Sequence, residues 1–204
     1  MSISGLFLIL FLGVHLFANI SALFGAGSFN RVCRFMGANP FILVMVPVLA
    51  AGVCIHIFYA LRLTLYNLKA RGAIRYAVRN RGRTLSWASK NMFVLGILIL
   101  CGLLLHLYHF WAHMQLQEVL GRVACEPYDI LVYTFNQPVV VVIYLIWIMA
   151  LWFHLTHGFW SAFQTLGLNN QKWMKRWQTI AHIYAAIIAA GFVSIPVYIF
   201  FLAP

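Results

Sequence analysis

The sequence predicts an all-α integral membrane protein with five transmembrane helices. Its composition is the first observation that predicts this class. The 204 residues are 64% hydrophobic and 8% charged, and the mean hydropathy is +0.90, far above that of a soluble domain. The length of the apolar runs and the placement of the charges are the other two observations. Because no internal repeat divides the chain, residues 1–204 are interpreted as a single domain.

Five apolar runs meet the length of about 20 residues that a membrane-spanning helix needs. They cover residues 2–24, 40–68, 91–114, 136–165 and 178–202. The second and fourth exceed the bilayer requirement, so we expect them to tilt or to project beyond it. Pro40 and Pro138 lie at helix starts, where proline is tolerated, whereas Pro196 lies inside the fifth run and is expected to kink it.

The charged residues predict the orientation of these spans. The connection at residues 69–90 carries seven of the 14 Lys and Arg residues, and the one after the fourth span carries Lys172, Lys175 and Arg176. All three acidic residues lie between the third and fourth spans. By the positive-inside rule the basic loops face the cytoplasm, so the N-terminus is cytoplasmic. This rule also accounts for the net charge of +11, and nucleic-acid binding is not expected.

Each of the first four runs contains a histidine well inside it: His15, His56, His106 and His154 respectively. A polar side chain in hydrocarbon is costly and is therefore a functional hypothesis by default. Since an α-helix rises about 1.5 Å per residue, His15 and His106 each lie about 13 Å below the outer end of their helix. His56 and His154 lie about 22 and 25 Å below theirs.

These depths define an outer and an inner level, about 10 Å apart, and each receives one imidazole from each of two helices. Facing imidazoles inside a helix bundle are typical of bis-histidine haem sites. The chain has no C-x-x-C-H motif for covalent attachment, so the predicted cofactors are two haems b. His15 and His106 would ligate the outer haem iron, and His56 and His154 the inner one. The alternative is four packing histidines, each of which needs its own polar partner.

Three further histidines compete with these ligands or lie near them. His109 is the fallback for His106, and His157 lies deeper than His56 requires but competes with His154 because helix tilt changes depth. His182 opens the fifth run near the cytoplasmic surface. It is either an interfacial histidine or a contact to a haem propionate or a quinone.

Four glycines lie within about one helical turn of a candidate ligand, where a flat macrocycle needs room. They are Gly13, Gly52, Gly102 and Gly158. Glycine is also common where ordinary membrane helices pack together, so this support is weak.

Polar residues near the two surfaces are candidates for the remaining contacts. Arg62 is a candidate propionate partner for the inner haem, or it snorkels to the interface, and Arg31 and Arg34 are candidates for the outer haem. At the outer end of the third span, His109, His113 and Glu118 are a candidate quinone site, because quinone chemistry needs proton donors. The alternative is that they only mark a helix end, and a cytoplasmic quinone site with His182 stays open.

Several short segments in order resemble the dihaem cytochrome b membrane subunit of succinate dehydrogenase and fumarate reductase, in its single-chain, five-helix form. They are residues 5–11 (GLFLILF), 15–19 (HLFAN), 35–40 (FMGANP), 56–60 (HIFYA) and 106–108 (HLY). In the fourth run, glycine at +4, an aromatic residue at +6 and glycine at +13 from His154 are similar to the family pattern, which favours His154 over His157. The resemblance covers nearly the whole chain.

This resemblance implies a membrane anchor in a bacterial cytoplasmic membrane. A flavoprotein subunit and an iron–sulfur subunit would dock on the cytoplasmic side, and the basic connection 69–90 is a plausible docking surface or only a topology signal. The chain would carry electrons between them and menaquinone or ubiquinone, with no catalytic residue for succinate or fumarate. The spans contain no Asp or Glu. If proton movement across the membrane needs a buried carboxylate, the spans do not supply one.

Two alternatives remain at the level of sequence. One is a bis-histidine cytochrome b that serves another respiratory complex, a hydrogenase or a formate dehydrogenase. The other is a haem-free membrane transporter that uses its histidines for protons or packing.

Overall fold

The five apolar runs form five long helices in the structure, a computed structural model that describes residues 1–71, 86–122 and 125–203. These helices are Ser2–Phe24, Pro40–Ala70, Met92–Trp111, Pro138–Thr165 and Gln171–Leu202, and each is long and apolar enough to cross a membrane. The described residues contain no β-strand. The prediction of an all-α chain with five candidate spans is therefore confirmed. Most of the basic connection 69–90 lies outside the described residues.

The helices are labelled in chain order. They are α1 (Ser2–Asn19), α2 (Ala26–Ala38), α3 (Pro40–Arg71), α4 (Trp87–Lys90), α5 (Met92–His106), α6 (Gln115–Val119), α7 (Pro127–Phe135), α8 (Pro138–Thr165) and α9 (Gln171–Leu202). A 3₁₀ turn, Ile20–Phe24, continues α1, and a π-helical turn, Leu107–Trp111, continues α5. Two of the connections between helices need a residue with positive φ, which glycine adopts readily. Gly25 (φ 89°) precedes α2, and Gly167 (φ 86°) follows α8.

The last helix starts earlier than the sequence predicts, at Gln171 instead of residue 178. Its N-cap is Asn170, whose side-chain oxygen accepts a hydrogen bond of 2.9 Å from the backbone N–H of Trp173. The first turns carry Lys172, Lys175 and Arg176, so a search for apolar runs does not assign these turns to the helix. The helix therefore extends beyond its apolar part, and Pro196 lies buried inside it.

We call the end of the bundle at which α1 begins the inner end and the opposite end the outer end. The short helices α2 and α7 meet at the outer end. There the backbone N–H of Tyr128 donates a hydrogen bond of 2.9 Å to the side-chain oxygen of Asn30. Arg34 also pairs with Glu126 at 3.3 Å. Both charged side chains are more than half exposed, so this ion pair adds little stability.

The core lies where α8 packs along α9 and against α1 and α5. One buried cluster, near the outer end, includes Phe135, Tyr144 and Ile199, and a second, between α1, α8 and α9, includes Leu16 and Phe159. Helix α3 is different, because no residue in its most apolar window is buried. Its neighbours are α1 and, at the outer end, α2.

Candidate functional site

The structure brings the four membrane histidines together as two pairs. The ring centroids of His15 on α1 and His106 at the end of α5 are 5.8 Å apart. Those of His56 on α3 and His154 on α8 are 6.5 Å apart. These are the two pairs that the depth estimate predicts. That an iron ion lies between the rings of each pair stays a prediction.

Both separations are those that a metal ion between two axial imidazoles would require. An imidazole nitrogen lies about 2 Å from a first-row metal ion that it binds, which places two opposed ring centroids about 6 Å apart. The interplanar angles are 88° for the outer pair and 67° for the inner pair. Axial rings can rotate about the common axis, so both angles are compatible with ligation.

The helices that carry each pair do not pack closely along one another. Within the described part of the chain, the extensive packing of α8 is with α9, α5 and α1, while α3 has no extended packing against α8, nor α1 against α5. The paired histidines therefore meet through their side chains, across a separation larger than that of packed helices. A flat group held between two axial ligands needs such a separation.

Hydrogen bonding of His56 leaves one of its ring nitrogens available as a ligand. Its Nδ1 is 3.3 Å from the hydroxyl oxygen of Ser4, which donates its only hydrogen to the carbonyl oxygen of Met1 at 2.8 Å. The hydroxyl oxygen is then free to accept the Nδ1–H of His56, and in that tautomer Nε2 carries the lone pair. Second-shell partners orient metal-binding imidazoles in this way.

The other three histidines also have an uncommitted Nε2. In the part of the chain that the structure describes, no hydrogen bond engages the Nε2 of His15, His106 or His154. The Nδ1 atoms of His106 and His154 are buried and make no hydrogen bond there either. For His15, the amide nitrogen of Asn19 lies 3.4 Å from Nδ1 while it donates to the backbone carbonyl of His15 at 2.8 Å. If these histidines served only for packing, their buried ring nitrogens would be expected to have hydrogen-bond partners.

Aromatic side chains enclose the outer pair. The ring of His15 stacks on Phe11 with centroids 5.2 Å apart, and Phe192 lies 5.7 Å away. The ring of His106 lies 5.5 Å from Trp147, whose indole N–H donates a hydrogen bond of 3.0 Å to the carbonyl of Ile99. These rings exclude water from the pair, and the tryptophan is fixed in place by its hydrogen bond.

Helix α8 contributes to both levels. Trp147 contacts the outer pair, and His154, seven residues further along α8, belongs to the inner pair. At the rise of an α-helix the two levels are therefore about 10 Å apart. Trp147 and its neighbour Tyr144 are not predicted from the sequence, although both lie two to three turns from His154 on the same run.

The donor set fits a porphyrin better than a bare metal ion. No group of three or more His, Cys, Asp or Glu side chains that could hold a metal ion exists among the described residues. Two imidazoles supply only axial ligands, and a porphyrin supplies the equatorial ones. The residues present therefore fit bis-histidine haem b at both levels.

The glycines expected to make room for a macrocycle contact protein side chains instead. A methyl group added at Gly102 would overlap the indole of Trp147, and one at Gly52 would lie 2.7 Å from Phe7. One at Gly13 would lie 3.6 Å from the hydroxyl of Tyr184, and one at Gly158 would lie 3.4 Å from Met92. These glycines thus allow close packing of large side chains, which is the weaker role that membrane glycines commonly have.

The competing histidines have other neighbours. His109 stacks on Tyr144 with centroids 5.9 Å apart, and its Nδ1 is 3.1 Å from the tyrosine hydroxyl. His157 packs on Trp160 at 4.8 Å. The histidine rings that lie next to His15 and His56 are those of His106 and His154, respectively.

The three residues predicted for an outer quinone site are not joined to one another. His113 is exposed, and its Nδ1 donates to the carbonyl of Tyr108 at 2.7 Å. Glu118 faces α2, where its carboxylate would lie 3.5 Å from a methyl group added at Gly37. The carboxylate of Glu118 is also near the Cys33 thiol on α2. The pKa of this thiol is raised to about 11, mainly by burial and to a smaller extent by the Glu118 charge. Among the described residues no ion pair links Glu118 to His109 or His113.

The predicted propionate partners lie at exposed positions. Arg31 and Arg34 are exposed on α2, where Arg34 pairs with Glu126. Arg62 is exposed on α3, six residues beyond His56. The seven basic residues of 69–90 include several that lie outside the described residues, so their candidate docking surface stays a prediction.

The side chain of His182 is exposed, so its two predicted roles, an interfacial histidine or a contact to a haem propionate or a quinone, both stay predictions. It lies 11 residues inside α9, because this helix starts at Gln171. It lines a cavity of about 250 Å³ together with His157 of α8.

Replacing Ser4 with alanine is expected to weaken the inner site selectively. The substitution removes the acceptor of the His56 Nδ1–H, and loss of such a partner typically costs about 10- to 100-fold in metal affinity. Haem retention during dilution, followed by absorbance, measures the effect. The matched control is Ser2→Ala, because Ser2 lies two residues before Ser4 on α1 and no hydrogen bond joins it to His56 among the described residues. Equal retention by both variants would argue against this role of Ser4.

Comparisons of the chain with protein-family models, curated proteins and solved structures find no match, so the family resemblance rests on the quoted motifs alone.

Proposed function

We propose that this chain is a dihaem cytochrome b that anchors a succinate:quinone oxidoreductase or quinol:fumarate reductase to a bacterial cytoplasmic membrane. The observation that carries the proposal is the pairing of four membrane histidines at two levels, with ring separations of 5.8 and 6.5 Å. The five long apolar helices and the ordered motifs support the same function.

When bound, each haem supplies a one-electron carrier. The residues of the chain determine how it is held. His15 and His106 would hold one haem and His56 and His154 the other, and a haem held by two imidazoles would transfer electrons and not bind oxygen. Ser4 orients His56, and the aromatic rings of Phe11, Trp147 and Phe192 exclude water around the outer pair. Burial and such second-shell contacts are the features that tune the two potentials.

A flavoprotein subunit and an iron–sulfur subunit are the proposed partners on the cytoplasmic side, and membrane quinone is the proposed redox partner. The outer-end residues His109, His113 and Glu118 remain one proposed quinone site. The enzymatic step at succinate or fumarate would belong to the partner subunits. A hydrogenase or formate dehydrogenase anchor would instead copurify without a flavoprotein of this kind.

The visible spectrum of the purified chain tests the proposal. We expect reduced b-type bands and two non-covalent haems per chain by pyridine haemochrome assay, because two pairs of imidazoles are available. Copurification from the native membrane should yield a flavin-containing subunit. A chain made with ample haem that shows no such bands would contradict the proposal and favour a haem-free transporter.

A further inference from the structure

A cavity of about 320 Å³ lies at the inner end of the bundle, between the last turns of α3, the short helix α4 and the start of α5. The nearest lining residue on α3, Thr64, lies eight residues beyond His56. At the rise of an α-helix this is about 12 Å, so the cavity is separate from the inner histidine pair. Within the described residues α3 has no extended packing against α5, and the cavity is therefore open at its side.

The polar part of the lining offers hydrogen-bond donors and one positive charge. Asn67 of α3, together with Ser89 and Lys90 of α4, lines the cavity. In the part of the chain that the structure describes, no hydrogen bond engages these three side chains, because Ser89 uses only its backbone N–H. Charged and neutral donors without a carboxylate beside them favour an anionic ligand that has several acceptor oxygens.

The chain itself supplies no counter-charge at this end. Its three acidic residues, Glu118, Glu126 and Asp129, all lie between the third and fourth spans, and this part of the chain is at the outer end of the bundle. The ion pair between Arg34 and Glu126 is at that end too. An anion that pairs with Lys90 therefore comes from outside the chain.

The apolar part of the lining continues from the cavity towards the middle of the bilayer. Leu68 of α3 and Phe93 of α5 line the cavity and are about half exposed. Leu65 and Leu61 lie three and seven residues before Leu68, and Ile97 lies four residues after Phe93, so each helix presents one apolar row. These three side chains are 46–66% exposed. An acyl chain that descends from the cavity therefore has apolar surface on both helices.

We propose that this cavity binds an anionic phospholipid in the leaflet at the inner end, which the positive-inside rule makes the cytoplasmic one. Lys90, Asn67 and Ser89 would hold the phosphate group, and the acyl chains would lie along the two apolar rows. The depth agrees, because the second span ends at Ala70 and the third begins at Met92. Basic pockets between membrane helices on the cytoplasmic side are typical sites for such head groups. This site does not depend on haem.

Native mass spectrometry of the purified, delipidated full-length chain tests the site. The probe is dioleoyl phosphatidylglycerol, and the apparent dissociation constant of the first bound lipid is measured. We expect Lys90→Gln to weaken binding about fivefold, as loss of one cation beside a phosphate does. The matched control is Lys172→Gln, which removes the same charge from an exposed position on α9 outside the cavity. It should bind like the unaltered chain.

Two further ligands identify the source of the phosphate. Dioleoyl phosphatidylcholine has the same chains without a net charge and should bind more weakly, and inorganic phosphate should not displace phosphatidylglycerol. Displacement by inorganic phosphate overturns the lipid in favour of a free anion, and equal binding of the two lipids overturns the role of Lys90.

Two results with the protein variants and the unaltered chain would also contradict the site. An equal loss of affinity in Lys90→Gln and Lys172→Gln overturns it, because general attraction between charges would then suffice. Absence of saturable binding to the unaltered chain overturns it as well, and leaves an acidic surface of a partner subunit as the source of the counter-charge.

Discussion

Replacing His154 with leucine is expected to halve the haem content of the chain. The inner level would lose one axial ligand while the outer pair, His15 and His106, stays intact. The reduced b-type absorbance should therefore fall by about half, and one of the two redox steps in a potentiometric titration should disappear. Pyridine haemochrome assay and redox titration of the purified protein measure both effects.

The matched control for this substitution is His157→Leu. His157 lies one turn further along α8 and is half-buried like His154, but its ring packs on Trp160. It should retain two haems. Loss of haem in this variant, together with retention in His154→Leu, would reverse the ligand assignment. The corresponding outer comparison is His106→Leu with His109→Leu, and only the first should lose the outer haem.

Replacing Gly102 with alanine is the second change for which we expect a large effect. The added methyl group would overlap the indole of Trp147, which cannot simply rotate away because its N–H is bound to the carbonyl of Ile99. Overpacking of this kind costs about 1–3 kcal/mol. Since Trp147 contacts His106, the outer haem should be lost at a lower temperature than the inner one.

Thermal unfolding in detergent, followed by absorbance of the two haems, measures this effect. Gly96→Ala is the control, because Gly96 lies on the same helix and an added methyl group would have no neighbour within 4 Å. It should be neutral or slightly stabilising, since alanine favours the helix more than glycine does. Equal stability of both variants would show that the Gly102–Trp147 contact does not restrain the outer site.

The spans and the histidine pairs were accessible from the sequence because both depend on regular helix geometry. Apolar length predicts a membrane helix, and a fixed rise per residue converts positions into depths. The pairs His15–His106 and His56–His154 therefore follow from counting along four helices, without any knowledge of how these helices pack.

Other features depend on packing or caps and could not be predicted in this way. The start of α9 depends on the Asn170 cap, and this start places the exposed His182 11 residues along the helix instead of at its beginning. The π-helical turn Leu107–Trp111 changes which way the residues after His106 face, and no apolar pattern marks it. The Ser4–His56 contact joins residues 52 positions apart, so only the folded bundle reveals it.

The exposure of α3 has a consequence for biogenesis. This helix rests on α1 and at its outer end on α2, and its most apolar window buries no residue in the protein. Lipid is as apolar as leucine, so little drives such a helix towards its neighbours. If the proposed haem is bound between His56 and His154, its insertion would hold the second span against the rest of the bundle. Chain made in haem-starved cells should then be cut by proteases first around this helix.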